Sequence, residues 1–161
     1  AMSATETPDS PFDTVGLRVA FDTNTPVSLT SYELYQTSAP QWHWDLSEKF
    51  NAGLGYEAAV GALAGEGDVA GYLHFGLNLE LAHEELPVAL VLQSGPSLYS
   101  TDSFGDFDLG GNIQFTSSIG LNWQMCEGWA VEYRYQHTSN AGLEAENPGL
   151  EMHAFALSHS F

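Results

Sequence analysis

The segment WAVEYRYQHTS, from Trp129 to Ser139, alternates between two kinds of side chain along its whole length. Its even positions are mostly polar or charged, and its odd positions are apolar up to the last two, His137 and Ser139. Successive side chains of a β-strand point to opposite faces of the sheet. A period of two therefore predicts a strand with one apolar face and one polar face.

The same alternation returns in several other parts of the chain. In residues 113–123 the odd positions are apolar except for Ser117, and in residues 72–81 the odd positions are Leu or Phe throughout. Turn-forming stretches such as GEGD, CEGW and ENPG separate the segments, whereas SAPQWHWDL, residues 38–46, is assigned to no element. Counting the alternating segments predicts eight strands, at residues 12–22, 27–37, 48–63, 69–83, 87–99, 110–124, 128–139 and 150–161.

Eight such strands predict an all-β fold, an eight-stranded antiparallel up-and-down β-barrel, because closing the sheet removes its exposed edges. No shift in composition divides the chain, so residues 1–161 are predicted to form a single domain, with 1–11 as a flexible N-terminal segment. Two kinds of barrel remain open at this point. One is a soluble, lipocalin-like barrel with an apolar interior, and the other is a transmembrane barrel with an apolar outer wall.

The composition of the polar face favours the transmembrane barrel. This face is rich in Asn, Gln, Ser, Thr and Gly rather than in the Lys and Glu that solvent-facing strands usually carry. The strands are also long enough for a tilted crossing of the hydrocarbon, which takes about 9–11 residues. The charges of the polar face have both signs and are expected to pair inside a narrow lumen; they are Arg18, Arg134, Glu80 and Glu132.

Aromatic residues near the predicted strand ends also favour a membrane barrel. The last predicted strand ends in Phe161, with Phe155 and Leu157 on the same face. An aromatic C-terminal strand of this kind resembles the signal that directs bacterial outer-membrane barrels to insertion. Trp and Tyr form girdles at the two interfaces of such barrels, and the candidates here are Trp42, Trp44, Tyr99, Trp123 and Trp129.

The charge balance is extreme, with 21 Asp and Glu residues, 3 Lys and Arg residues and a formal net charge of -18. So few cations argue against a nucleic-acid partner, because phosphate backbones are bound by Lys and Arg. Such acidity is typical of proteins that stay hydrated in high salt, so a halophilic source is predicted. The polar start of the chain carries no secretion signal, which leaves a cytoplasmic protein or a mature form whose signal has been removed.

The chain offers few features of a metal site. Asp102, Asp106 and Asp108 lie close together but lack the spacing of an EF-hand loop, and the six His residues lack an HExxH motif. A solvated acidic loop is therefore expected around residue 106, and no metal ligand set is predicted. The single cysteine, Cys126, excludes an internal disulfide.

The polar stretch QHTSNAGLEAENPGLE, residues 136–151, covers the end of the seventh predicted strand, the start of the eighth and the segment between them. An even strand number puts both chain ends at one side of the barrel, so this stretch is predicted at the opposite, external rim. By the alternation, His137, Ser139 and Glu151 all project from the lipid-facing side. There His137 can activate the Ser139 hydroxyl while Glu151 holds the other ring nitrogen. The alternative is a polar rim that only contacts lipid headgroups.

The motif HTSNAGL, followed by NPGLE at residues 147–151, resembles the signature of the outer-membrane lipid A 3-O-deacylase family, PagL. The resemblance implies an eight-stranded barrel in the bacterial outer membrane that hydrolyses the acyl ester at position 3 of lipid A and needs no cofactor. It implies a triad on the outer wall, with Ser139 as nucleophile, His137 as base and Glu151 as acid. It also marks as oxyanion or loop-shaping candidates Asn140, Gly142 and Asn147.

On this interpretation the acyl chain lies along the outer wall beside Tyr133, Tyr135 and Phe155. His153 shares the face of Glu151 and is a further candidate for lining the site. The implied partners are lipid A or lipopolysaccharide and the lipids of the outer membrane, with a monomer and a homodimer both left open. The small number of cations leaves the exact lipid open. The other functions considered are a non-catalytic barrel for adhesion or envelope structure and a soluble ligand-binding barrel.

Overall fold

The computed structural model describes residues 13–161. The predicted flexible segment 1–11 and Phe12 lie outside the described residues. Among residues 13–161, no helix is long and apolar enough to cross a membrane. This part of the chain forms eleven strands: β1 Thr14–Asp22, β2 Thr30–Thr37, β3 Trp42–Asp45, β4 Phe50–Gly65, β5 Asp68–His83, β6 Val88–Tyr99, β7 Ser103–Phe104, β8 Phe107–Asp108, β9 Ile113–Cys126, β10 Trp129–Ser139 and β11 Leu150–Ser160.

Eight of these strands form one closed antiparallel barrel. Their order around the ring is β1, β2, β4, β5, β6, β9, β10 and β11, and β11 pairs with β1 to close it. The predicted up-and-down barrel is confirmed, and its strands differ from the predicted segments by only a few residues at their ends. The additions are short: β3 pairs with the start of β4, and β7 and β8 form a separate hairpin.

The barrel has two ends, which we call the terminal rim and the loop rim. The terminal rim holds the start of β1 and the end of β11, where the hydroxyls of Thr14 and Ser160 are 2.9 Å apart. The loop rim holds the connections at residues 23–29, 66–67, 100–112 and 140–149. The segment that joins β10 to β11 therefore lies at the end opposite the terminal rim.

Apolar side chains cover the outside of the barrel, and polar side chains fill much of its inside. On the outer wall Leu17 is 67% exposed and Leu73 is 59% exposed, whereas the adjacent residues Arg18 and His74 are each only 6% exposed. In water this arrangement would expose a continuous apolar band, which soluble monomers avoid. The wall suits hydrocarbon instead, so the predicted inversion of the soluble barrel pattern is confirmed.

The aromatic girdle is confirmed at one end of the barrel. Trp42, Trp44, Trp123 and Trp129 are exposed on the outer surface, near the terminal rim. The prediction for Tyr99 is wrong, because this side chain takes an inward position on β6 and is buried in the lumen. There it lies opposite Tyr72 in register, with 5.1 Å between the ring centroids.

Two arginines and three glutamates fill the middle of the lumen. Glu57 lies between both cations, with Arg134 Nη2 2.8 Å from Glu57 Oε2 and Arg18 Nη1 3.1 Å from Glu57 Oε1. Arg18 also contacts Glu33 and Glu132, and Arg134 Nε lies 2.6 Å from Glu132 Oε1. We call these five residues the lumen charge cluster. It confirms the predicted pairing of charges for Arg18, Arg134 and Glu132.

Glu80 was also expected in this cluster, and that prediction is wrong. Its strand level explains the difference, because Glu57 is opposite Gly76 and Glu80 lies four residues further toward the terminal rim. At the rise of a β-strand this separation is about 13 Å, beyond the reach of a direct ion pair. Glu80 instead lines a polar cavity of ≈ 220 Å³ between the cluster and the terminal rim.

Candidate active site

His137 and Glu151 face each other across two neighbouring strands at the loop rim. They are Cα partners in the antiparallel pairing of β10 with β11. His137 Nδ1 lies 4.0 Å from Glu151 Oε1, and the two side chains are 49% and 39% exposed. Directly opposed side chains on one face of an antiparallel pair are close neighbours. A small side-chain rotation is therefore enough to form a hydrogen bond between imidazole and carboxylate.

Ser139 ends β10, two residues beyond His137 on the same outward face. Its Cα partner on β9 is Phe115. Within residues 13–161, no hydrogen bond joins the Ser139 hydroxyl to the His137 ring. Hydrogen bonds between catalytic groups are often long before substrate binds. The structure thus brings all three predicted residues to one patch of the outer wall, without a closed chain of hydrogen bonds between them.

The segment that joins β10 to β11 packs against the His137 ring. Gly149 has a φ of 72°, in the left-handed region that favours glycine. A Cβ at this position would lie only 3.2 Å from His137 Cε1. Gly149 therefore lets the chain turn into β11 and also leaves the space that the imidazole occupies.

Asn140 organises the same segment from the inside and is fully buried. Its side-chain Nδ2 donates to the carbonyl oxygens of Gly110, at 2.8 Å, and Glu146, at 2.7 Å. Its Oδ1 accepts from the Gly142 N–H at 2.8 Å, and its own N–H donates to Asn147 Oδ1 at 3.1 Å. The three predicted loop residues thus form one connected network directly after Ser139.

The first loop of the barrel holds the backbone of Glu151, a contact that the sequence did not predict. Asn24 Oδ1 accepts a hydrogen bond from the Glu151 N–H at 2.8 Å. The N–H of Thr23 donates to the Glu151 carbonyl at 3.0 Å, and the Thr23 hydroxyl donates to the same oxygen at 3.1 Å. The polar run DTNTP after β1 is the signal for a turn. It carries no information about a partner more than a hundred residues away.

Two further hydroxyls continue the polar row on the outer wall. Ser117 on β9 is the Cα partner of His137, and Ser94 on β6 is the Cα partner of Ser117. The two serine Oγ atoms are 2.8 Å apart, and both residues are exposed. Ser117 was visible in the sequence as the one break in the apolar face of residues 113–123. Its neighbour Ser94 could be recognised only from the strand register.

On the side of this row that faces the terminal rim, the outer wall is aromatic. The side chains predicted to contact an acyl chain, Tyr133, Tyr135 and Phe155, are all exposed on the outer surface. The Tyr133 hydroxyl lies 2.6 Å from His153 Nδ1, and the rings of Tyr133 and Phe155 have centroids 5.4 Å apart. His153 therefore belongs to the wall beside the candidate site, where it engages a tyrosine hydroxyl.

A second serine–histidine pair lies inside the lumen. His74 Nδ1 is 2.8 Å from Ser97 Oγ, and the other ring nitrogen contacts Gln93. His74 and Ser97 are buried. In the described part of the chain no carboxylate forms a hydrogen bond or salt bridge with this ring. A lipid ester on the outer wall has no path to this pair. We therefore interpret His74 and Ser97 as part of the polar packing of the lumen.

In residues 13–161, no group of three or more His, Cys, Asp or Glu side chains is placed to hold a metal ion. The acidic loop between β6 and β9 uses its carboxylates locally instead. Asp108 Oδ1 accepts from the Gly110 N–H at 2.7 Å, and Asp102 Oδ1 accepts from the Ser103 hydroxyl at 3.2 Å. These bonds shape the loop that lies beside the segment 140–149.

A family model described as lipid A 3-O-deacylase (PagL) matches residues 30–160, which include His137, Ser139 and Glu151. The chain belongs to this family. Lipid A deacylases of the PagL family are esterases. The matched region covers seven of the eight barrel strands, so the assignment rests on the whole barrel as well as on the motif at the loop rim.

Known relatives agree with this assignment. Lipid A deacylase PagL of Bordetella bronchiseptica is 34% identical over 67 residues, which are 42% of this chain and 38% of that protein. Lipid A deacylase PagL of Pseudomonas aeruginosa is 27% identical over 129 residues, and the match covers 70% of each chain. The chain thus spans about two fifths of the length of the first relative and more of the second.

The fold agrees with a solved structure of the same family. The crystal structure of the outer membrane enzyme PagL superposes with a TM-score of 0.76 at 21% sequence identity, covering 91% of this chain and 99% of that chain. At this identity the likeness concerns the fold. Together with the family match and the apolar outer wall, it makes this protein an outer-membrane β-barrel.

Proposed function

We propose that this protein is a serine esterase that hydrolyses the ester-linked acyl chain at position 3 of lipid A. The observation that carries the proposal is the register of β10 and β11, which sets His137 opposite Glu151 on the lipid-facing wall, with Ser139 at the rim beside them. Ionisable side chains on such a wall are costly and point to function. Their location suits a substrate whose ester lies at the membrane surface.

In the proposed reaction, Ser139 Oγ attacks the ester carbonyl carbon while its proton passes to His137 Nε2. Glu151 faces Nδ1, the ring atom 4.0 Å from its carboxylate, and stabilises the imidazolium that forms. The bond between the carbonyl carbon and the sugar oxygen then breaks, and His137 returns the proton to that oxygen. Water activated by His137 next attacks the acyl-serine, which releases the fatty acid and restores the Ser139 hydroxyl.

Oxyanion stabilisation is assigned to the network after Ser139. The N–H of the residue that follows a nucleophile is a common oxyanion donor, and here it is the Asn140 N–H, 3.1 Å from Asn147 Oδ1. We assign the Asn147 side-chain amide to the oxyanion, together with the Asn140 N–H, which exchanges its bond to Asn147 Oδ1 for the oxyanion when the substrate binds. The Asn140 side chain is engaged by Gly110, Glu146 and Gly142, so together with Gly142 it shapes the loop.

The position of the cations bears on how the lipid is recognised. Arg18 and Arg134 lie in the lumen charge cluster, and Lys49 lies at the terminal rim, 3.1 Å from Glu85 Oε2. None of the three Lys and Arg residues of the chain reaches the loop rim. We therefore propose that the acyl chains and the ester are the recognised groups, and that ions of the medium neutralise the phosphates of the lipid.

The first experiment is mass spectrometry of lipid A after incubation with the detergent-solubilised protein and its Ser139→Ala variant. Loss of one acyl chain from position 3 with the wild type only supports both the reaction and the nucleophile. Ser97→Ala is the matched control, because it removes the serine of the other serine–histidine pair, inside the lumen. The proposal fails if no lipid A loses mass while barrel folding is verified, or if Ser97→Ala and Ser139→Ala behave alike.

A further inference from the structure

Gln114 is a buried amide that is only half satisfied. It lies near the start of β9, on the inner face of the wall, and is 1% exposed. Within residues 13–161, Gln114 Oε1 is shielded from solvent and accepts no hydrogen bond. Leaving a buried polar atom unpaired costs about 1–3 kcal/mol, and a methionine of similar length would avoid this cost. Packing of the lumen therefore does not explain why an amide occupies this position.

The nitrogen of the same amide holds a turn of the loop between β6 and β9. Gln114 Nε2 donates to the carbonyl oxygens of Leu109, at 3.2 Å, and Gly111, at 2.6 Å. A side-chain amide carries two N–H donors, so one can serve each carbonyl. The Leu109 side chain is 2% exposed and belongs to the apolar cluster at this end of the barrel. Residues 109–111, which we call the 109–111 turn, are thus fixed to the barrel interior by polar and apolar contacts together.

Gly110, in the middle of this turn, contacts the segment that follows Ser139. Its carbonyl oxygen accepts a hydrogen bond from Asn140 Nδ2 at 2.8 Å. A Cβ at position 110 would overlap the Glu146 carbonyl oxygen and lie only 2.7 Å from Asn140 Nδ2. The φ of Gly110 is 77°, in the left-handed region that favours glycine. The two loops therefore meet at a distance that no larger residue allows.

This contact joins the segment 140–149 to a different loop. The other side-chain hydrogen bonds of Asn140, to the Glu146 carbonyl and the Gly142 N–H, stay within that segment. Bonds inside the segment preserve its shape but move with it when it shifts. The bond to Gly110 instead refers its position to the 109–111 turn, and so to Gln114.

We propose that Gln114 is a positioning residue for the oxyanion donors, acting through the 109–111 turn on Asn140. The inference rests on the esterase function proposed above and names a residue on which that site depends. Gln114 touches no substrate, because it lies on the inner face of β9 and the ester lies on the outer wall. Oxyanion donors gain their full interaction only when negative charge develops in the transition state. Loss of Gln114 therefore lowers kcat and leaves KM unchanged.

The test substitutes Gln114→Met, which keeps the length of the side chain and removes both donors. We expect kcat for lipid A deacylation to fall by about tenfold, because removing an oxyanion donor costs about a hundredfold or more and displacing one costs less. The matched control is Gln93→Met. Gln93 is also a buried lumen amide, 5% exposed, but it contacts His74 rather than the 109–111 turn. Its kcat should stay within about twofold of the wild-type value.

Gly110→Ala tests the same contact from the side of the turn, because its Cβ would displace the segment that carries Asn140. It should also lower kcat with little change in KM. Heat-modifiable migration on gels gives the folded fraction of each variant, and kcat is expressed per folded molecule. A role of Gln114 in stability alone would lower the folded fraction and leave this kcat unchanged.

Each outcome decides the inference. A selective loss of kcat in Gln114→Met and Gly110→Ala supports it. An equal loss in the two glutamine variants overturns it, and so does a loss that appears in KM or a wild-type kcat in Gln114→Met or Gly110→Ala. The proposed function fails separately, if Ser139→Ala still removes the acyl chain from lipid A.

Discussion

Gly149 leaves the space in which the ring of His137 lies. A side chain at position 149 would bring its Cβ to 3.2 Å from His137 Cε1, closer than nine in ten Cβ contacts in proteins. The backbone of Gly149 has a φ of 72°, so a substitution there also strains the turn into β11. The orientation of the proposed base thus depends on a residue that has no chemistry of its own.

Gly149→Ala is therefore expected to lower kcat by about threefold to tenfold. A displacement of a catalytic group by about 1 Å can cost about a hundredfold, and here the imidazole has to shift by a few tenths of an ångström. The matched control is Gly142→Ala. Gly142 has a φ of 81°, a similar backbone strain, but a Cβ there meets nothing within 4 Å. The hydrogen bond from the N–H of residue 142 to Asn140 Oδ1 is retained in the alanine variant. Steady-state kinetics of both variants separate the two effects. Equal losses would show that loop strain, rather than contact with His137, controls the activity.

Asn24→Ala should lower kcat by about fivefold to tenfold with little change in KM. The variant loses the acceptor that holds the Glu151 N–H at 2.8 Å, which is worth about 1 kcal/mol, and frees the strand end that carries the proposed acid. Thr25→Ala is the control from the same loop, because the Thr25 hydroxyl donates to the Val27 carbonyl and touches no part of Glu151. A kcat for Asn24→Ala within about twofold of that of Thr25→Ala would remove Asn24 from the positioning of the acid.

The structure offers two serines near His137, and kinetics can tell their roles apart. Ser117 is the direct register partner of His137, while Ser139 is two residues along the same strand. Ser139 lies next to the backbone donors of the loop, whereas Ser117 is bonded to Ser94 within the wall. We expect Ser139→Ala to lower kcat by at least about a thousandfold, and Ser117→Ala to lower kcat/KM by about fivefold. The reverse order would make Ser117 the nucleophile.

The barrel could be predicted from the sequence because the apolar residues of the outer face and the polar residues of the inner face alternate along each strand. The faces of β5, β9 and β10 match the predicted ones, and so does the closure of eight strands. The short strands β3, β7 and β8 could not be predicted, because two to four residues carry too little pattern. The ion pairs between side chains in the lumen could not be predicted, for a different reason. The level of a charge depends on strand stagger, which is why Glu57 and Glu33, rather than Glu80, meet the arginines.

The candidate site also contains residues that could be predicted from the sequence and contacts that could not. His137, Ser139 and Glu151 lie within one short motif, and the alternation was enough to predict their common outward face. Thr23 and Asn24 approach Glu151 only because β1 pairs with β11, at the opposite end of the sequence. A long-range contact of this kind follows from barrel closure and register. It leaves no local signal in the residues that make it.

The lumen charge cluster is expected to be the main polar determinant of stability. Arg134 is buried and binds Glu57 at 2.8 Å and Glu132 at 2.6 Å. Arg134→Met leaves three buried carboxylates facing one arginine, and breaking a buried pair in this way typically costs about 3–5 kcal/mol. We therefore expect a markedly lower midpoint of urea unfolding, followed by tryptophan fluorescence in one detergent at fixed ionic strength.

Lys49→Met is the matched control for this variant. It also removes one positive charge from a chain of net charge -18, but Lys49 and its partner Glu85 are more than half exposed at the terminal rim. Exposed pairs contribute about 1 kcal/mol or less, so its unfolding midpoint should stay close to that of the wild type. If both variants lost the same stability, the total charge of this acidic protein would be the controlling quantity. A selective loss in Arg134→Met would instead locate the effect in the lumen, where burial prevents water from replacing the missing cation.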